Sequence, residues 1–136
     1  LQESLSLGNL YAKRDWGHAR DYVEAMWLIL QHEKPDDFVI STGKQYSVKD
    51  FVNKAASCLD MKINWKGEGV NEVGMYNNKI IIKVNPKYFR PSEVDSLHGD
   101  SSKAIKLLNW RPKIDFDKLV TEMVNNDYEN IKNEIK

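Results

Sequence analysis

Ala19, Tyr22, Val23, Met26, Trp27 and Leu30 recur at offsets of 0, 3, 4, 7, 8 and 11. That spacing puts them on one side of a 3.6-residue helix and predicts a helix over about residues 18–33, ended by Pro35. A second stripe, Val48, Phe51, Val52, Ala55, Ala56 and Leu59, follows Ser47-Val48-Lys49-Asp50, which reads as a capping box with Asp in the place of Glu. Leu119, Val120, Met123, Val124, Tyr128 and Ile131 predict an inward helix face running from about Phe116, capped by Asp115, with a polar end that frays. A shorter helix is expected from Asp100 as N-cap through Leu108, terminated by Asn109-Trp110-Arg111-Pro112.

Strand signals are short. Leu5 and Leu7 read as one strand, Phe38-Val39-Ile40 as a buried one closed by Ser41-Thr42-Gly43, and Ile63 and Trp65 as a third. Val73 to Tyr76 and Ile80 to Val84 predict a hairpin about Asn77-Asn78, without the usual Asn-Gly. Pro86 and Pro91 bracket an irregular loop holding Tyr88, Phe89 and Arg90. Helices and short strands alternate with no long parallel βαβ run. The pattern is that of the smaller lobe of a two-lobed α/β enzyme, with residues 1–136 as a single domain.

Composition narrows the function classes. The 136 residues suffice for one domain with a core. Twenty basic and twenty acidic residues cancel, so the basic excess of a nucleic-acid partner is missing. No apolar run approaches the roughly 20 residues that span a bilayer, and no signal pattern is visible. Cys58 is the single cysteine; it fits a reducing cytosol and a cytoplasmic location, and reads as a small apolar helix residue rather than a reactive thiol. The chain opens Leu1-Gln2-Glu3 without an initiator Met, and a fragment of a longer enzyme is expected.

Candidate chemistry gathers in two places. Arg14 and Asp15 precede the first long helix: Asp15 can cap that helix or hold Arg14, and the Arg14 guanidinium can grip a phosphate bidentately. The alternative is a surface Arg paired with Asp15 or Asp21. Arg90 and Glu93, three apart on a Pro-stiffened loop, suit a phosphate and a sugar hydroxyl or purine amino group; the alternative is a salt bridge within the loop. His18 reads as structural, and His18, His32 and His98 have no partners at metal-ligand spacing, so no metal site is expected. No dinucleotide fingerprint or Walker loop occurs, and the one Tyr with a Lys four residues on, Tyr128 with Lys132, stands in the polar end of the last helix. Binding groups are present without catalytic ones.

Arg14-Asp15-Trp16-Gly17-His18-Ala19, Asp21-Tyr22-Val23-Glu24-Ala25-Met26-Trp27, Tyr88-Phe89-Arg90-Pro91-Ser92-Glu93-Val94 and Gly99-Asp100 with Ser102-Lys103-Ala104 stand in the order and spacing of a known family. The chain resembles the GDP-mannose 4,6-dehydratases, which are extended short-chain dehydrogenases/reductases, over essentially its whole length. The resemblance implies an α/β C-terminal substrate-binding lobe without the N-terminal Rossmann core. It implies that the parent enzyme dehydrates GDP-D-mannose to GDP-4-keto-6-deoxy-D-mannose with tightly held NADP, and is a homo-oligomer. Under it, Arg14, Arg90 and Glu93 hold GDP-mannose, and the catalytic and cofactor residues lie in the absent Rossmann portion, so this chain alone is inactive. Tyr11, where Asp is common, Leu97-His98, and the short segment Glu72 to Lys79 depart from the family pattern. The alternatives are another nucleotide-sugar epimerase or dehydratase of the same superfamily, and a non-catalytic scaffold domain.

Overall fold

The structure is a computed structural model that describes residues 2–90, 94 and 96–134. In chain order its regular elements are β1 (Leu5–Leu7), β2 (Lys13–Arg14), α1 (Ala19–Gln31), β3 (Tyr46–Ser47), α2 (Val48–Ser57), β4 (Asn64–Lys66), β5 (Val73–Tyr76), β6 (Lys79–Val84), α3 (Ser102–Leu108) and α4 (Phe116–Glu134), with 3₁₀ turns at Gly69–Asn71 and Pro86–Tyr88. The chain is mixed α/β, as the alternating pattern implies. It divides into two units, each made of two stretches: Leu1–Lys13 with Ser47–Asp95, and Arg14–Tyr46 with Ser96–Lys136.

The first unit is a four-stranded sheet, in the order β1-β6-β5-β4, together with α2. β1 runs parallel to β6, with Leu5 opposite Ile82, and the other neighbours are antiparallel. The expected hairpin forms: Asn77 and Asn78 both take left-handed backbone, φ 47° and 62°. Asn adopts that region more readily than other residues bearing a Cβ, and two successive left-handed residues match the twist of the strands. Along β6 the period of two holds, with Ile82 and Val84 buried and Lys83 exposed. The register shifts between Gly74 and Met75; a Cβ at Gly74 would come 3.0 Å from the Ile63 and Ile82 side chains, so a larger residue would have to push them aside. The capping box is present: Asp50 N donates to Ser47 Oγ at 3.0 Å and Ser47 N to Asp50 Oδ2 at 2.8 Å. Val48 N and Lys49 N donate to the Ala12 and Leu10 carbonyls, so the first N–H groups of α2 are satisfied.

The second unit packs α1 and α3 about Ala25, Ala104, Leu108 and Trp110, with Tyr22, Leu28, Ile29, Phe38 and Ile40 closing over them. The buried side of α1 is therefore not the stripe that the spacing picks out. Val23, Met26, Trp27 and Leu30 are 61–78% exposed, while Asp21 and Ala25 are buried. Apolar residues occupy nearly every side of α1, so periodicity alone admits two faces, and contact with Trp110 selects the other one. Asp21 itself is fixed by the fold. Its Oδ2 accepts from Lys113 N and Ile114 N at 2.9 Å each, and its carbonyl accepts from Trp110 Nε1.

Three further expectations change. Residues 38–40 belong to no strand among the described residues; Phe38 and Ile40 pack against the core and Val39 is exposed. In α4, Phe116, Leu119 and Val120 are buried, whereas Met123, Tyr128 and Ile131 are exposed, because the helix runs on past the atoms it packs against. Cys58 is the half-buried C-cap of α2 rather than a residue inside it. At two other helix ends the expectations hold, since Asp115 Oδ1 accepts from Lys118 N and Asn109 ends α3 in the left-handed region, but the N-cap of α3 is Ser101 rather than Asp100, whose Oδ1 accepts from Ser102 N.

Candidate functional site

Arg14 ends β2, and the four residues after it lead into α1. His18, not Asp15, caps that helix: its Nδ1 accepts from Arg20 N at 3.0 Å, and the ring is buried. Its Nε2 lies 3.5 Å from Glu122 Oε1. Glu122 also accepts from Arg20, and that hydrogen bond holds its carboxyl below the ordinary range against the opposing effect of desolvation. His18 is structural, as its isolation in the sequence implies.

Asp15 makes different contacts from those expected of it. Its Oδ1 accepts from Thr42 N at 3.0 Å and from the Thr42 hydroxyl at 2.7 Å, and its Oδ2 accepts from Gly43 N at 2.8 Å. Gly43 has φ +72°, a value that suits glycine. On the other side of this turn, His98 Nε2 lies 3.3 Å from the Gly43 carbonyl, and the Ser41 hydroxyl donates to Gly99 O at 2.9 Å.

These segments enclose an open recess of about 340 Å³ lined by Arg14, Asp15, Tyr22, Ile40, Leu97, His98 and Gly99. The apolar lining comes from Ile40 and Leu97, and the polar groups are a guanidinium, a carboxylate, a phenol and an imidazole. Burial, followed by the charges of Asp15 and Asp21, pushes the Tyr22 hydroxyl above its ordinary pKa. Tyr22 thus stays a neutral hydrogen-bonding group at working pH and is no base. A concavity with one cation and a neutral hydroxyl can receive an anion or a polar ligand; it holds no nucleophile–base pair. A smaller cavity of about 120 Å³ lies beside the stacked rings of Tyr46 and Phe116, whose centroids are 4.0 Å apart.

Of the three residues singled out as ligand contacts, Arg14 lines the recess of the second unit. Arg90 is exposed just after the Pro86–Tyr88 turn of the first unit. Glu93 lies outside the described residues. Sequence reasoning missed Tyr22, which it assigned to an apolar stripe, and the Thr42-Gly43 turn. The only signal for the turn was Ser41-Thr42-Gly43 itself, a short polar stop after an apolar run. No group of three or more His, Cys, Asp or Glu side chains fit to hold a metal ion occurs among the described residues. No helix of the described chain is long and apolar enough to cross a membrane.

Residues 1–123 match the family model described as GDP-mannose 4,6 dehydratase. The chain is 57% identical over 129 residues to a GDP-mannose 4,6 dehydratase of Drosophila melanogaster, a match covering 93% of this chain and 33% of that protein. It is 56% identical over 133 residues to the GDP-mannose 4,6 dehydratase of Dictyostelium discoideum, covering 96% of this chain and 37% of the relative. The chain thus spans about a third of the length of the curated relatives it matches. Among solved structures, UDP-glucose 4-epimerase from Bifidobacterium longum, in complex with NAD+ and UDP, superposes with a TM-score of 0.70 at 17% identity, over 95% of this chain and 36% of that one. The fold is that of the corresponding third of an extended short-chain dehydrogenase/reductase.

Proposed function

We infer the function from one premise: this chain belongs to the GDP-mannose 4,6 dehydratase family. It is proposed to be the C-terminal substrate-binding portion of an NADP-dependent enzyme that converts GDP-D-mannose to GDP-4-keto-6-deoxy-D-mannose, and to be inactive alone. The observation that carries this reading is the recess that presents Arg14 beside Tyr22 and His98 within the family-matched residues. An Arg is suited to a diphosphate because its planar fork meets two oxygens at once. Arg90 and Glu93 enter the proposal as further substrate contacts on the strength of their Arg-Pro-x-Glu-Val sequence.

When bound, NADP supplies the hydride carrier of such a reaction. The residues described here do not fit it. Gly67 and Gly69 follow β4 but lead into a 3₁₀ turn, and Gly17 stands alone before α1 with the Tyr22 ring against its Cα. Neither makes the glycine-rich strand-to-helix turn that cradles a pyrophosphate. The cofactor is therefore proposed to rest on other residues of a full-length member, and the present chain to act on the sugar nucleotide alone.

Titration of the ¹⁵N-labelled chain with GDP, GDP-mannose, UDP-glucose and dTDP-glucose tests the reading. GDP and its sugar are expected to shift the amides of residues 14–16, 40–43 and 97–99, and Arg14→Ala to weaken binding at least tenfold, on the order of the 1.5–3 kcal/mol of a charge-assisted hydrogen bond. A stronger response to a uridine or thymidine sugar would replace the GDP assignment with a sister activity. No response to any of the four would leave a scaffold, and formation of the 4-keto-6-deoxy sugar by the chain alone would overturn its inactivity.

A further inference from the structure

We propose that Asp15 is a positioning residue for the Arg14 recess, locking the Thr42-Gly43 turn so that the recess keeps its shape. This rests on the reading that Arg14 grips a nucleotide diphosphate. The wall of the recess is non-local: Arg14, Asp15 and Tyr22, then Ile40, and then Leu97, His98 and Gly99 come from distant positions in the second unit, and the Thr42-Gly43 turn follows Ile40 after one residue. Asp15 joins the first group to the turn through three hydrogen bonds, and the segment about the turn is joined to the third group by Ser41 to Gly99 and by His98 beside Gly43. Both Asp15 oxygens therefore act on the turn, one residue along the chain from the guanidinium.

The donor pattern requires a carboxylate. All three groups facing Asp15 are donors, two backbone N–H and one hydroxyl, and an ionised Asp accepts at both oxygens. Asparagine has the same shape, but its amide nitrogen would confront an N–H, at Gly43 N if its oxygen takes the place of Oδ1. One bond is lost and a donor–donor contact replaces it, while the side-chain volume is unchanged. Asp15→Asn thus loosens one side of the turn without opening a cavity.

The test measures GDP affinity of the whole chain by ¹⁵N chemical-shift titration in the wild type, Arg14→Ala, Asp15→Asn, Thr42→Val and Arg14→Ala/Asp15→Asn. Asn78→Ala serves as the control, because it strains the left-handed turn between β5 and β6 and destabilises the chain, and Asn78 does not line the recess. Expected are about a tenfold weaker dissociation constant in Asp15→Asn, a several-fold loss in Thr42→Val, unchanged affinity in Asn78→Ala, and no further loss in the double variant beyond Arg14→Ala. Wild-type affinity in Asp15→Asn alongside a large loss in Arg14→Ala would overturn the role of Asp15 and leave the phosphate reading standing. Losses from Arg14→Ala and Asp15→Asn that simply multiply would overturn it too. If Asp15→Asn does not fold, Thr42→Val decides, and wild-type affinity there sinks the inference. A wild-type chain that ignores GDP, with Arg14→Ala silent, overturns the phosphate reading itself and the inference with it.

Discussion

Lys49→Met exchanges an ammonium for a thioether of similar length and so isolates one charge. In the first unit Lys49 Nζ donates to Glu72 Oε1 at 2.5 Å and to the Tyr11 hydroxyl at 3.2 Å, and it stands 4.7 Å from the centre of the Trp65 ring. The Glu72 side chain is only 3% exposed, and its Oε2 has no hydrogen-bond partner in the structure. The carboxylate therefore depends on Lys49 and Tyr11 for its stability as a charge. Removing one partner of a buried pair costs about 3–5 kcal/mol. The Lys49 side chain keeps 22% of its surface exposed, so water replaces part of the loss and about 3 kcal/mol is expected, the low end of that range. Glu72→Gln leaves an ammonium that can still reach solvent and should cost about 1 kcal/mol, the net worth of an ordinary hydrogen bond. Lys49→Met/Glu72→Gln should cost about 2 kcal/mol, less than Lys49→Met alone, which is a coupling of about 2 kcal/mol. Urea unfolding followed by far-UV circular dichroism, with amide exchange of β5 and β6 to localise the effect, measures all four corners of the cycle. A Lys49→Met chain within about 0.5 kcal/mol of wild type, the usual range for surface changes, would refute the argument. The pH dependence supplies an independent sign. Burial lowers the Lys49 pKa, but hydrogen bonds to Glu72 and Tyr11 outweigh it and leave the folded pKa raised. The stabilisation from this shift is present in full below the ordinary value of 10.5 and is lost as pH climbs through the higher folded value. Lys49→Met should lack that alkaline loss.

Asp21→Ala strands two backbone N–H groups, of Lys113 and Ile114, at a buried site; the expected cost is about 2–3 kcal/mol by thermal or urea unfolding. Asn78→Gly should be neutral or slightly stabilising and Asn78→Ala destabilising by about 1 kcal/mol, because φ is 62° there; equal effects would argue against a left-handed turn. Trp27→Ser should leave stability within about 0.5 kcal/mol, since the ring is 61% exposed; a loss above about 2 kcal/mol would mean that the sequence stripe, not the Ala25 side, is the buried one.

What the sequence revealed depended on how far apart the interacting residues lie. The α2 capping box, the Asp115 cap and the Asn77-Asn78 turn are settled within four residues, and each was readable from residue type and spacing. The orientation of α1 was not. Its eight residues from Tyr22 to Leu30, Glu24 apart, are apolar, and the deciding neighbour, Trp110, is more than eighty positions away. Residues 38–40 carry strand composition, yet a strand exists only if another pairs with it. That Arg14 is a candidate for holding an anion was legible from its chemistry alone, and the structure places it on the recess. The Asp15 turn was not, because its partners are 27 and 28 residues on and neither Thr nor Gly announces them. Nor did anything in the sequence link Tyr11 and Lys49 to Glu72, which only the folded first unit brings together.

The parallel pairing of β1 with β6 has a consequence for the order in which the chain acquires structure. Leu5 and Ile82 are 77 positions apart, so that ladder closes a long loop, whereas β5 and β6 meet across a two-residue turn and can pair within microseconds. On a ribosome, which releases about 5–20 residues per second, β1 emerges first yet must wait at least several seconds for its neighbour. Both units are made of two stretches, so each leaves an early segment of the nascent chain unsatisfied until a late one arrives. Ribosome-stalled chains of increasing length should show β1 protected from proteolysis only after β6 has cleared the exit tunnel.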